Sequence, residues 1–417
     1  MTGPFAGLKV VEFGRFIAAP YCGQLLADGG ADVVKVEALD GDETRRNGPI
    51  IPSEGRQFLN KNRGKRSLAV DLRDDEARAA VRRLAAQADI VVANFRPGQA
   101  EKLDLDYPSL SATNARLIYA ENTAYGRLGP MANAPGMDIV LSGYSGLMNV
   151  TDAGPAPSPE PIIDYAAGLL LAWGVSTALY HRERTGRGQR LDVALLQAAL
   201  VLQNNHVNHV DIIDSWRHEF VAYLKTAFAE GESWSDVLAK RNELQPQALA
   251  RAYYGFLRAG DGVIAIAATA RPLRLRMMEV VGFEDPWSRD PTWEPPDAKG
   301  YVAQLLATVE SRLKTNTVAY WTAKFAEVGI PAGAMRLREE MPDDEQSWAN
   351  GFLVRLDHEL LGGVTVVAPP VKFSDSPLEI RAASPTLGAH SLAILMEAGL
   401  DAATVEALVG RGVVATS

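Results

Sequence analysis

The sequence predicts an α/β protein with a parallel sheet, helices on both sheet faces, and a second, smaller domain in mid-chain. Three observations carry this. Short apolar runs rich in β-branched residues alternate with helix-spaced segments through the first third of the chain. A stretch dense in Gly and Pro then precedes one long apolar helix. Further on, a hairpin-like signal breaks the alternation: Gly260-Asp261-Gly262 separates two apolar runs between Ala252 and Ala268.

Taken in order, Leu8 to Phe13 reads as a strand, Gly14 to Pro20 as a turn, Tyr21 to Ala27 as a helix and Ala31 to Glu37 as the next strand, a βαβ unit. Ser67 to Leu72, Asp89 to Asn94 and Leu117 to Glu121 are further strands, with a helix over Glu76 to Ala88. The loops at Gly126 to Pro130, Ala134 to Gly136 and Thr151 to Pro161 are long, and long loops inside ordered domains tend to carry function. Ile162 to Tyr180 is a helix, His181 to Gln189 a polar turn, and Arg190 to Val210 one long helix. Trp216 to Pro246 has no clear period. Pro272 to Val281 and Tyr301 to Val328 read as helices, Gly363 to Ala368 as a strand and Ser391 to Glu397 as the last helix.

The chain has 417 residues, enough for two or three domains, and 47% are hydrophobic, enough for a large core. A net charge of −9 argues against non-specific binding to nucleic acid or anionic membrane. One cysteine, Cys22, excludes an intramolecular disulfide; with no secretory signal pattern at the start, the expected compartment is the cytoplasm. Ile162 to Tyr180 is nearly long enough to span a bilayer, but it contains Asp164 and several small polar residues, so a helix buried on all sides is expected.

Several motifs admit two readings. Glu37 ends the first βαβ unit as an acid does in dinucleotide-binding folds, yet the turn from Gly14 to Pro20 has only its first glycine, so GxGxxG is absent and a nicotinamide enzyme is not expected. Arg96 and Phe95, in the loop Asn94 to Gly98 after a strand, could hold a phosphate and a flat or apolar group; a solvated turn is the competing reading. The basic cluster Asn62 to Ser67 fits either an anionic ligand or a solvated charge run. Asp164 opens the long helix, where it could be an N-cap or, between apolar neighbours, a nucleophile kept ionised by the helix N-terminus. His206 and His209 lack the further ligands a metal site needs, so no metal is expected.

The ordered series Leu8 to Phe13, Ala19-Pro20, Leu25 to Glu37, Asn62 to Leu72, Asn94 to Gly98, Pro135 to Asp138, His181 to Gln189, Gly329 to Gly333 and Pro385 to Gly388 resembles the class III CoA-transferases. The resemblance covers nearly the whole chain. It implies a Rossmann-like large domain built from both chain ends, a smaller α+β domain and an interlocked homodimer. On this reading residues 1–200 form the first part of the large domain, 201–225 a linker helix, 226–328 the small domain, and 329–417 a linker and the remainder of the large domain. The family's catalytic aspartate falls on Asp164, and its coenzyme A positions fall on Ile17, Ala18, Val70, Arg73, Asn94, Phe95, Arg96, Lys102 and Met137.

The activity so implied is transfer of CoA from an acyl-CoA donor to a carboxylic acid, through an aspartyl anhydride and an aspartyl-CoA thioester. Racemases of the same superfamily place a histidine where this chain has Met137, and methionine cannot move a proton. An acyl-CoA isomerase and a catalytically silent CoA-binding protein are the alternatives. The sequence departs from the family pattern at Ala19, usually glycine, and at Ala38, where some relatives carry arginine. No glycine-rich lid lies between Leu224 and Leu249, which argues against oxalate or formate as substrate.

Overall fold

A computed structural model describes residues 3–246, 248–290 and 292–417. The chain divides into two compact units, Met1–His209 with Glu345–Ser417, and Val210–Asp344.

The first unit is built on a seven-stranded sheet. Its strands are β1 (Lys9–Phe13), β2 (Asp32–Glu37), β3 (Arg66–Val70), β4 (Ile90–Ala93), β5 (Ile118–Thr123), β6 (Arg190–Ala194) and β7 (Val414–Ala415). They lie in the order β6-β5-β4-β1-β2-β3-β7. The first six are mutually parallel, and β7, from the C-terminus, joins antiparallel against β3. The chain order therefore reverses between β1 and β4, the switch point at which open α/β sheets bind ligands.

The central strands read as continuous apolar runs because both faces are covered. Val11, Phe13, Val34, Val36 and Val91 enter one core with the helix Asp75–Ala86 and the C-terminal Ile394 and Leu408. Val10, Val33, Ile90, Val92 and Ile118 enter the other, with Cys22 and Leu26 of α1 (Ala18–Asp28) and Leu171 and Val175 of the long helix. The period of two along each strand makes this division.

The long helix, Ile162–Thr185, was expected to be buried on all sides. One face packs on α1 and the sheet, but Leu169, Trp173 and Tyr180 on the other face are 48%, 69% and 65% exposed. Its contact with α1 is close because of Gly168, where a Cβ would stand 2.8 Å from the carbonyl oxygen of Ala18.

Three local expectations fail for identifiable reasons. Arg190 to Val210 is not one helix: Arg190–Ala194 pairs in parallel with β5, and helices Leu195–Leu202 and Asn204–Val207 follow without a turn signal. Tyr301 to Val328 is two helices, Ala298–Leu313 and Val318–Glu327, the second capped by Thr317 through the Tyr320 N–H. Ser391–Glu397 is followed by one more helix, Ala402–Gly410, capped by Asp401.

The second unit pairs Tyr254–Arg258, Val263–Ala267 and Ala332–Ala334 in an antiparallel sheet, the first two forming the expected hairpin. Helices Arg271–Val281, Ala298–Leu313 and Val318–Glu327 cover it through a core of Met277, Leu305, Val309, Trp321 and Phe325.

The Gly168 contact gives the first prediction. Gly168→Val should destabilise the protein by about 1–3 kcal/mol, read as a lower urea midpoint at unchanged slope. No loss would mean that the two helices can separate freely.

Candidate active site

A cavity of about 1070 Å³ opens at the carboxyl edge of the sheet. Its walls are the carboxyl ends of five consecutive strands and the loops after them: residues 70–73 at β3, 36–43 at β2, 13–16 at β1, 94–98 at β4, and 121–124 with Gly126 at β5. Gln99, Glu101, Leu103, Arg127, residues 132–137, Val140, Asp164 and Leu195 line the rest of it.

Asp164 lies in the first turn of the long helix, labelled here α3 (Ile162–Thr185), but does not cap it. The N-cap position is Pro161, which offers no side-chain cap. Asp138, the first residue of α2 (Asp138–Ser145), supplies the cap instead: its Oδ2 accepts from the Ile163 N–H at 2.9 Å and the Asp164 N–H at 3.1 Å. The carboxylate of Asp164 is thereby left with no hydrogen-bond donor among the described residues, on the cavity wall.

The expectation that the helix N-terminus would depress the Asp164 pKa is overturned. Burial pushes it from an ordinary 3.8 up to about 7, the negative charge of Asp138 adds to the rise, and the Lys61 ammonium opposes it. Asp138 has already taken the two N–H groups that would have favoured the ionised form, so desolvation wins. Lys61 is itself 2% exposed, lies over the Tyr165 ring, and has its own pKa lowered by burial.

Of the positions implied by resemblance, Val70, Arg73, Asn94, Phe95, Arg96, Met137 and Asp164 line this one cavity. Ile17, Ala18 and Lys102 do not: the first two are buried where α1 begins, and Lys102 is exposed at the end of the short helix Gln99–Lys102. Arg73 is held by Asp71 at 2.7 Å, and Phe95 lies 5.3 Å from the Phe13 ring. Arg96 is exposed on the cavity wall.

The basic cluster fits neither of its two readings. Arg63 and Lys65 are buried and pair with Asp28 at 2.7 Å and Glu12 at 2.6 Å, and Arg66 pairs with Asp32 and Glu397. None of the three lines the cavity. Glu37 accepts from Arg45 with both oxygens and from Ser67, so its carboxylate is not available to a ribose. Ala19 turns its methyl towards Gly14, where a Cβ would stand 2.8 Å from it. Among the described residues no histidine lines the cavity, and no group of three or more His, Cys, Asp or Glu could hold a metal. Sequence reasoning missed Asp138 and Lys61, although Asp138 stood in a quoted motif; their spacing from Asp164 carries no signal until α2 and α3 are packed.

A cavity at the switch point of a parallel sheet, walled on one side by an unpaired, partly buried carboxylate, defines an α/β protein equipped for acyl-group chemistry. The sequence profile of CoA-transferase family III matches residues 5–391, and the chain belongs to that family. The succinate–glutarate CoA-transferase of Agrobacterium fabrum is 33% identical over 94% of this chain and 95% of its own length. An acyl-CoA transferase of Fusarium pseudograminearum is 31% identical over 97% of this chain and 86% of its own. The crystal structure of a CAIB/BAIF family protein from Brucella suis superposes with a TM-score of 0.74 at 33% identity, covering 95% of this chain and 100% of the other.

Two predictions follow from the electrostatics. A carboxyl whose folded pKa lies above its unfolded value costs stability as pH rises from about 3.8 through about 7. Asp164→Asn should therefore raise the melting temperature at pH 8 by a few degrees, roughly 1–2 °C per kcal/mol removed for a chain of this size, with the gain shrinking as pH falls towards 4. Asp138→Asn keeps an oxygen to cap α3 but removes a charge near Asp164. It should move the Asp164 titration, followed by the pH dependence of acylation, to lower pH; an unmoved limb would leave Asp138 a cap only.

Proposed function

We propose that this protein moves CoA from an acyl-CoA donor to a carboxylic acid acceptor through a covalent thioester on Asp164. The observation that carries the reading is the Asp164 carboxylate, unpaired among the described residues and placed on the wall of the cavity at the carboxyl edge of the sheet. In its ionised form it attacks the donor thioester carbonyl. A mixed anhydride forms and CoA thiolate leaves. The thiolate then attacks the aspartyl carbonyl, giving an Asp164–CoA thioester and releasing the donor acid. The acceptor carboxylate attacks that thioester, again forming an anhydride and freeing the thiolate. Attack of the thiolate on the acceptor acyl carbon yields the new acyl-CoA and restores Asp164. Each step exchanges one acyl bond for another, so no redox partner is required.

The cavity supports this assignment by its extent. Its walls run from the loop after β3 to the loop after β5, four strand spacings or roughly 19 Å. Val70, Arg73 and Ala38 would receive the nucleotide end, with Arg96 exposed for phosphate, while Met137, Val140 and Leu195 surround the acyl end near Asp164. Met137 beside Asp138 offers no proton, which favours transfer over racemisation.

Three further statements belong to the same reading. The protein acts as an interlocked homodimer, supported by the apolar outer face of α3, whose Trp173 is 69% exposed. It works in the cytoplasm, in keeping with a single buried cysteine. Dicarboxylic acids head the panel of acceptors, because the Agrobacterium relative is named for succinate and glutarate.

Intact-mass measurement after incubation with succinyl-CoA, glutaryl-CoA and longer acyl-CoAs tests the proposal. A CoA-sized adduct is expected, converted by borohydride to a reduced side chain and absent from Asp164→Ala. CoA binding without any adduct would overturn transfer. Deuterium uptake at the acyl α-carbon would then identify an isomerase, and its absence a silent binder.

A further inference from the structure

The loop from Gly14 to Phe16, between β1 and α1, lines the cavity and is held at successive main-chain groups by side chains from other segments. The Gly14 carbonyl accepts from Lys35 Nζ at 2.6 Å. The Arg15 N–H donates to Asn94 Oδ1 at 2.9 Å, and the Arg15 carbonyl accepts from Asn94 Nδ2 at 2.8 Å. The Phe16 N–H donates to Asp42 Oδ1 at 3.4 Å. Asp42 and Lys35 are themselves buried and paired at 3.0 Å, and Thr44 donates twice to the same Asp42 oxygen.

What these contacts hold is unusual. Phe16 has a φ of +64°, a left-handed conformation that a bulky residue rarely adopts. Left to itself, such a residue relaxes to an extended or right-handed form; it persists where the surroundings over-determine it. The loop also has a fixed relation to the nucleophile. It leads directly into α1, whose Ala18 carbonyl abuts Gly168, one helical turn beyond Asp164 on α3, and Tyr21 of α1 meets Tyr165 edge-on at 5.2 Å. Asn94 stands after β4 and Arg15 after β1, so the Asn94 amide bridges the switch point itself.

We propose that Asn94, with Lys35 and Asp42, is a positioning residue that holds the Gly14–Phe16 main chain in one conformation, on the wall of the cavity that Asp164 also lines, for the bound acyl-CoA. The resemblance to the family implies that Asn94 contacts CoA. Here its amide spends one donor and its acceptor on Arg15, so its main effect is on the loop. The role rests on the transferase reading above, since its readout is acylation of Asp164.

The test uses the full-length protein with Asn94→Ala and Asn94→Asp. The aspartate still accepts from the Arg15 N–H but cannot donate to the Arg15 carbonyl. Three quantities are measured: the single-turnover rate of adduct formation with succinyl-CoA or the best donor found, the Kd for free CoA, and hydrogen exchange of the segment 14–17. A misplaced loop costs about 30- to 100-fold in rate. Asn94→Ala should show that loss with a Kd for CoA within about threefold of wild type, and faster exchange in this segment; Asn94→Asp should fall between. If the alanine variant does not fold, as judged by circular dichroism, the aspartate variant carries the comparison. A Kd that weakens in step with the rate, or exchange equal to wild type, would overturn the proposal. Wild-type protein that forms no adduct with any donor is a separate outcome: it removes the transferase reading and the catalytic role of the clamp with it.

Discussion

Glu12, on β1, is wholly buried between two ammonium groups, Lys35 at 3.0 Å and Lys65 at 2.6 Å. Much of the first unit is arranged around that carboxylate. Gly23 of α1 is glycine because a Cβ there would stand 2.0 Å from Glu12 Oε2. Lys35 comes from β2, and Lys65 from the segment just before β3, so the cluster ties three neighbouring strands together beneath their carboxyl ends. Buried ion pairs of this kind add little net stability against apolar packing, because desolvation offsets most of the attraction. Their distribution of hydrogen bonds indicates what they contribute. Lys35 gives one to the carbonyl of Gly14, at the start of the loop that lines the cavity, and Lys65 one to the carbonyl of Pro20, in the first turn of α1. The cluster fixes the path of the chain.

The same region holds buried carboxylates in two electrostatic states. Glu37 and Asp42 are more deeply buried than Asp164, and burial alone would raise their pKa; Arg45 and Lys35 respectively, with hydrogen bonds, reverse the shift and hold both below the ordinary range. Asp164 has no such counter-ion in contact, and its pKa goes up. A partner does not always outweigh burial: Glu54 accepts from Arg45 at 3.0 Å, yet burial still raises it to about 7. A carboxylate that accepts from an arginine or lysine has its lone pairs committed and serves the fold. One without donors remains free to form a bond with an acyl carbon.

Much of this was legible in the sequence, and the failures have physical causes. The β-branched runs at Val10, Val33 and Val91 marked strands because both faces of the sheet are buried. Strand β6 was hidden because Arg190 to Ala194 runs into Leu195 without a breaker, and a short strand next to a helix carries little periodicity. Asp164 could be singled out by its place between two isoleucines and an apolar helix, but whether it capped that helix depended on Asp138, whose approach is a tertiary contact. The basic residues from Arg63 to Arg66 looked like a ligand site or a surface. Their acidic partners Asp28, Glu12 and Asp32 lie some 30 or more positions earlier in the chain, and no local pattern reveals such pairing. The outer face of α3 was misjudged because an apolar helix reads alike whether the chain itself or another molecule covers it.

The raised pKa of Asp164 bears on why an aspartate in this setting suits acyl exchange. An ionised carboxylate in a desolvated site, with Asp138 contributing unfavourable charge, is held above the free energy it would have in water. In the proposed mechanism acylation would remove the charge: the anhydride and the thioester are both neutral at the aspartyl oxygen. On that mechanism the burial and the repulsion would act against the free enzyme and not against the covalent intermediates. A neighbouring arginine would have the opposite effect, stabilising the resting carboxylate and deepening the well from which it must react. Asp138 is engaged with main-chain N–H groups and Lys61 lies over the Tyr165 ring, so that among the described residues the Asp164 carboxylate has no hydrogen-bond partner to lose. The network around Glu12, Lys35 and Lys65 reaches the cavity at a different point, through the Gly14 carbonyl that Lys35 holds, and takes no contact from Asp164.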